Sequence, residues 1–182
     1  MDTILAWHFT GVDAAGRPVL RDWQPVPPCG VGLEHAGPVV MCTSGLHASR
    51  DILDALSYSP GCWLHRVECA GIEVEEADKL VCRRRRVVAS ADMTWALVTW
   101  AEWCAGRADD ASAASRDAAI YARNARNAAS DAARDAREAA GYAAIYAGYA
   151  RYARYAASYA STERVWQVET LEMLFSALVA GL

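Results

Sequence analysis

Three groups of residues in this chain have types and spacings that could do chemistry. Cys62, His65 and Cys69 stand as C-x-x-H-x-x-x-C, thiol and imidazole donors of the kind that hold zinc. In an extended strand, residues 62 and 65 point to opposite faces, so no metal is expected there. Arg83, Arg84, Arg85 and Arg86 form an unbroken run of guanidinium forks suited to carboxylate or phosphate. On a strand this run divides, with Arg83 and Arg85 on one face and Arg84 and Arg86 on the other. One pair could then meet an acidic neighbour or a ligand, or the charges could keep an exposed edge strand from aggregating. The third group is AAGYAAIYAGYARYARYAASYA at 139–160, six tyrosines in alanine with Arg151 and Arg154 among them. Tyr142, Tyr146 and Tyr149 share one side of a helix, and Tyr152, Tyr155 and Tyr159 continue the ridge around it. Tyrosine supplies contact area at low entropy cost, so Tyr146, Tyr149, Arg151, Tyr152 and Arg154, with Arg84 and Arg86, are candidate partner-binding residues. The same ridge could instead pack the arm onto the rest of the chain.

The elements that must position these groups follow from local patterns. ILAWHF at 4–9 is rich in strand formers, TGVDAAG offers a turn, and PVLRDW at 18–23 reads as the returning strand of a hairpin. PVPPCGVG cannot be helix, so 24–32 is an irregular connection. A short apolar strand is expected at 38–42, with a turn at Thr43 to Gly45. Ser49 is then the expected cap of a helix bearing Ile52, Leu53 and Leu56, stopped by SPG after Tyr58. In CWLHRVECAG, Trp63, His65, Val67 and Cys69 alternate with Leu64, Arg66 and Glu68, which is strand periodicity. An acidic loop, EVEEAD, leads to KLVCRRRRVVAS, extended again. From Ser90 the period becomes helical, with Ser90 or Asp92 as cap, Met93, Leu97, Trp100 and Cys104 as the apolar face and Gly106 as the stop.

Between Arg107 and Ala160, 23 of 54 residues are alanine and none is proline, which predicts helix. Alanines spaced alternately by four and three form a stripe of methyl groups that lets another helix approach closely. A single helix of that length would extend about 80 Å, so a break is expected near Gly141 or Gly148, or around Gly106 to Asp110. The terminal STERVWQVETLEMLFSALVAGL predicts an amphipathic helix with Ser161 or Thr162 as cap and Val165, Val168, Leu171, Leu174 or Phe175, and Leu178 as its apolar face. The fold class expected is α+β: a small, mostly antiparallel sheet domain with one or two helices over 1–106, then an alanine-rich helical hairpin or bundle over 107–182.

Composition bounds the rest. A formal charge of −4, with all the excess acid before Gly106, gives no broad electrostatic reason to bind nucleic acid. MDTILAWHFTG lacks the basic segment and long apolar run of a signal peptide, and no apolar stretch is long enough to span a membrane, so a cytoplasmic protein is expected. All six cysteines precede the alanine-rich part without a C-x-x-C pair, and in a reducing compartment they act mostly as small core hydrophobes.

The stretch from Val39 to Val88 resembles an uncharacterised domain common in phage and prophage proteins. The residues that carry the resemblance are Cys42, Ser44, Gly45, Leu46 and His47 before a short helix ending in Tyr58, then a strand and an acidic loop ending in Asp78 and Lys79. The tail, with Glu163, Gln167 and Leu171 after the alanine and tyrosine repeats, is similar to alanine-rich segments of such phage proteins and of immunity proteins. The resemblance implies a phage or mobile-element accessory protein that binds a protein partner, with inhibition of a host defence system such as CRISPR-Cas as a fitting role and no cofactor. A second resemblance implies a different class. WHFTG, GLHAS and a tyrosine at the end of the following helix resemble the NAD-binding elements of ADP-ribosyltransferases. On that analogy His8 holds the ribose and Tyr58 stacks on nicotinamide, while no carboxylate, Glu68 included, has a clear claim to the catalytic position. A third expectation is a structural homo-oligomer paired through the alanine stripes. His47 could simply cap the next helix, and His65 could be a satisfied strand residue.

Overall fold

The structure, a computed structural model, describes residues 3–108 and 161–181, and the side chains of 3–104 and 164–181. The strands are β1 (Thr3–Val12), β2 (Pro18–Val19), β3 (Gly32–Glu34), β4 (Leu46–Ala48), β5 (Trp63–Glu75) and β6 (Leu80–Asp92). The helices are α1 (Ile52–Ser57), α2 (Thr94–Ala108) and α3 (Ser161–Ala180). The fold is α+β, as the alternation of strand and helix periods implies.

The frame is the long β5–β6 hairpin, whose turn is closed by the Glu76 N–H donating to the Lys79 carbonyl at 2.8 Å. Half of the acidic segment therefore belongs to β5, and its loop is only a tight turn. β1 lies antiparallel to β5 with His8 opposite His65, and β2 returns on β1 with Gly11 opposite Val19. That hairpin is shorter than the sequence suggests, because Trp23 takes a left-handed φ of 65° and the Leu20 N–H bonds the Gln24 carbonyl, turning the chain away. β3 and β4 both pair with the other edge of β6. The arginine run is thus on an interior strand, not the edge strand considered above, since β6 has partners on both sides.

The sheet curls until it meets itself. Trp7 and Ser49 exchange backbone hydrogen bonds of 2.7 and 2.9 Å, so the path β1–β5–β6–β4 returns to β1. Ladder irregularities between Arg66 and Val67 and between Ile72 and Val74 supply the bends. Inside the curl lie Ala6, Ala48, Val67, Cys69, Leu80, Cys82 and Val87, all buried. The outer face presents Trp7, Phe9, Leu64 and Ala91 to the helices. Leu97, Trp100 and Cys104 of α2, with Met93 just before it, are completely buried there, the face predicted from their spacing. At the start of α2 the Asp92 carboxylate accepts from the Thr94 N–H at 2.9 Å, and Asp92 and Ser90 both belong to β6; the helix runs past Gly106 to Ala108.

Two further expectations are corrected. Residues 38–42 make no strand, only an isolated bridge between Val40 and Ser44, because Cys42 (φ 61°) and Gly45 (φ 106°) turn the chain through left-handed conformations. The strand comes later, at β4. Asp51, not Ser49, caps α1, its Oδ1 accepting from the Leu53 N–H at 2.7 Å, because the Ser49 backbone is engaged by Trp7.

Helix α3 packs on the same outer core. Leu171 and Phe175 are buried, Phe175 meets Trp7 edge-on at 5.1 Å between centroids, and the Trp100 indole N–H donates to the Gln167 carbonyl at 3.2 Å. Arg164 pairs with Asp51 and Asp54 at 2.8 and 3.0 Å. The buried stripe is Gln167, Leu171 and Phe175, one turn apart, whereas Val165 and Leu178 are exposed, so the helix is rotated from the face expected. None of the described helices is long and apolar enough to cross a membrane.

Candidate functional site

The inner wall of the curl carries an unusual amount of polar chemistry. Alternation along β1 sends Trp7 and Phe9 outward and Ala6, His8 and Thr10 inward. On β5 the same alternation places Trp63, His65, Val67 and Cys69 inward, as their spacing predicted. His65 is 1% exposed and fully satisfied: Thr10 Oγ1 lies 2.9 Å from Nε2 and Ser90 Oγ lies 2.7 Å from Nδ1. Its strand role is therefore structural. The His8 ring lies 6.4 Å from it and is half-buried.

Arg85 forms the floor. The irregularities in the β5–β6 ladder let Leu80, Cys82, Arg85 and Val87 all face inward despite their mixed spacing. Arg85 is 5% exposed, and one guanidinium nitrogen, Nη1, donates to the His47 carbonyl. Cys69 and Cys82, hydrogen-bonded to one another, are its thiol neighbours. Burial, and then the Arg85 charge, hold the His65 imidazole down to about 4. Burial also holds His8 well below the usual imidazole range, reinforced by Arg85, His65, His47 and Arg21 in that order. His47 is lowered mainly by burial, with Arg85, Arg21 and Lys79 adding to it against a hydrogen bond to the Gly45 carbonyl. The imidazoles thus stay neutral at pH 7 around a permanent cation.

The Cys-x-Ser-Gly-Leu-His segment leads into β4 through a turn held by its own histidine. The His47 Nε2 accepts from the Cys42 N–H at 3.0 Å, so this histidine staples its own turn and does not cap α1. At the end of α1, the Tyr58 hydroxyl donates to Asp78, which raises its pKa, and Lys79 lies over the ring at 5.1 Å. Arg21 joins the two candidates proposed from the transferase analogy: it reaches the Tyr58 carbonyl at 3.5 Å and its charge acts on His8. Glu68 points outward, where it pairs with Arg86, and is no part of this cluster.

Arg84 and Arg86 are exposed on the outer face, as the splitting of the run predicts, but Arg83 does not share the burial of Arg85 as expected, since it is part-exposed and pairs with Glu73. With Leu33, Glu34, Glu68 and Arg85 among others, Arg84 and Arg86 line an open depression of about 390 Å³. Cys62 faces the outer core while His65 and Cys69 face inward, so the strand separates that trio; among the described residues no group of His, Cys, Asp and Glu is placed to hold a metal. Tyr146, Tyr149, Arg151, Tyr152 and Arg154, the alanine stripe and the expected breaks at Gly141 or Gly148 lie outside the described residues. Sequence reasoning missed Arg85 as the inward member of its run. The signal available was its phase with Val87, but the bulges that set that phase have no local signature.

Fold and site together define an α+β domain with a curled antiparallel sheet and a cation-floored, histidine-lined interior. Residues 17–98 match the family model described as a domain of unknown function (DUF7666), less than half of the chain but including Arg21, His47, Tyr58, His65 and Arg85 and not His8. No curated protein and no solved structure matches the chain significantly.

Proposed function

We propose that the chain is a binding module that recognises a protein partner through the open half of its outer sheet face. The supporting observation is how the sheet is covered. Helices pack over Trp7, Phe9, Leu64 and Ala91, whereas among the described residues no helical one lines the depression around Arg84 and Arg86. Leu5 (51% exposed) and Val31 (50%) are exposed large hydrophobics of β1 and of the residue preceding β3. Exposed arginines beside isolated apolar side chains suit a protein interface, and the alternation of Arg84 and Arg86 with Glu34 and Glu68 calls for a partner carrying both signs of charge. A phage origin and a partner drawn from a host defence system are the finer form of this reading, and rest on the resemblance alone. The test is capture from infected cells with the immobilised chain and an R84E/R86E variant that keeps its circular dichroism spectrum. A partner retained by the first and lost by the second supports the reading. Identical retention by both removes this face.

A second reading, binding of an NAD-type dinucleotide, rests on the resemblance carried by His8 and Tyr58, with Arg21 donating to the Tyr58 backbone carbonyl at 3.5 Å. Calorimetric titration with NAD would give saturable heat that His8→Ala abolishes. No heat at millimolar NAD would end it.

A further inference from the structure

We propose that the open edge of β3 accepts an extended strand of the partner protein, with a basic side chain of that strand set against Glu34. The inference deepens the protein-binding reading and rests on it, since Gly32, Leu33 and Glu34 all line the same depression.

The curled sheet leaves few places where a further strand can pair. β4 is joined to β1 by the bonds that Ser49 and Trp7 exchange. At one end of the strand path, β2 opens with Pro18 and the chain crosses back over it. The Val26 N–H donates to the Pro18 carbonyl at 3.0 Å, and Pro25 bridges Val19. Proline and a covering segment are ordinary means of closing a sheet edge. Among the described residues β3, at the other end, has neither. Its strand neighbour is β6 alone, Gly32 and Glu34 are exposed, and open space stands where a Gly32 Cβ would be.

The backbone of β3 is phased for a further partner. The His35 N–H donates to the Arg83 carbonyl at 2.8 Å, and in an antiparallel ladder bonded and unbonded positions alternate. Leu33, opposite Arg85, therefore also turns its backbone groups toward β6, whereas Gly32 and Glu34 turn their N–H and C=O groups to the open side. The side chains specify what lies there. Gly32 and Glu34 share the outer face with Arg86 and Arg84 opposite them, and Leu33 belongs to the other face. Glu34 enters no ion pair among the described residues, and Arg86 is already neutralised by Glu68. A strand laid along β3 thus meets an unpaired carboxylate on one face and Leu33 on the other, with Val31, half exposed, just before it. The chemistry that fits is an extended peptide in which basic and apolar side chains alternate.

The probe is a short acetylated and amidated peptide of alternating lysine and valine, titrated into the full isotope-labelled chain and followed by NMR. The expected result is saturable shifts around β3 and slower exchange of the Gly32 and Glu34 amides. Glu34→Lys should weaken binding of this peptide by about threefold or more and favour its glutamate–valine counterpart. Glu34→Pro removes an outward donor without touching a bond to β6, and should weaken both peptides by about tenfold or more. Circular dichroism and thermal melts check folding; if Glu34→Pro does not fold, Glu34→Lys decides. No shift with either peptide at millimolar concentration, shifts that avoid β3, equal affinity of the native chain for both peptides, or affinities unchanged in the folded variant that is read, overturn the inference. Partner capture separates it from the broader reading. A partner lost by R84E/R86E but kept by folded Glu34→Pro removes the edge and leaves the outer face standing. A partner kept by R84E/R86E and lost by Glu34→Pro supports the edge and removes the arginines.

Discussion

Acidification should weaken this fold through His65 before the carboxylates contribute. The imidazole is 1% exposed, held between Thr10 and Ser90, and kept near 4 by burial and by the Arg85 charge, against an ordinary value of 6.5. Between those two values the unfolded chain binds a proton that the folded chain refuses, so stability rises with pH across the window. The contribution is complete above about pH 6.5 and is lost as pH falls toward 4. The difference between 6.5 and about 4, at about 1.4 kcal/mol per unit, corresponds to about 3 kcal/mol in all, of which about 2 kcal/mol falls between pH 7 and 5. His8 is shifted in the same direction and adds to the slope. Glu75 and Asp13, held low by Arg50 and Arg17, lose their contributions at lower pH, below the ordinary carboxylate range. The assay is urea unfolding at pH 7, 6 and 5 for the native chain and for His65→Gln, comparing slopes and not absolute stabilities, because the substitution also repacks the site. The native chain should lose about 2 kcal/mol more than the variant over that range. Parallel curves would refute the argument that burial and Arg85 control this imidazole.

Three other substitutions probe the frame. Leu171→Ala removes a completely buried side chain from between α3 and the outer core and should cost about 2–5 kcal/mol; an unchanged melting temperature would mean that α3 does not close this core. Asp51→Ala deletes both the cap of α1 and one partner of Arg164, for a loss of about 1–2 kcal/mol dominated by the cap, because the Arg164 side chain is 37% exposed. Chemical denaturation should show it, and a change below about 0.3 kcal/mol would contradict the cap assignment. Gly45→Ala forces a left-handed φ of 106° on alanine and brings its Cβ within 2.5 Å of Val81 Cγ1, so a loss of about 1–3 kcal/mol is expected in the same assay. A neutral result would show that the turn before β4 relaxes freely.

How far the sequence could be read depended on the range of the forces that decide each feature. The inward and outward sets of β1 and β5, the buried face of α2 and the division of Arg84 and Arg86 from Arg85 were all legible, because side-chain direction repeats every 2 or about 3.6 residues whatever lies across the sheet. Prolines and glycines likewise marked the irregular stretch after β2. The position of β4, the cap of α1 and the rotation of α3 were not legible, since each was settled by a distant partner: Ser49 by Trp7, and Gln167, Arg164 and Phe175 by Trp100, Asp51 and Trp7. The same division holds for the candidate site. By itself the sequence determined that histidines and an arginine run sit on alternating strands, and that the run must split. Only the tertiary structure decided that Arg85 is buried without a carboxylate, because that depends on two ladder irregularities and on backbone bonds between Trp7 and Ser49 that close the curl from opposite ends of the sheet.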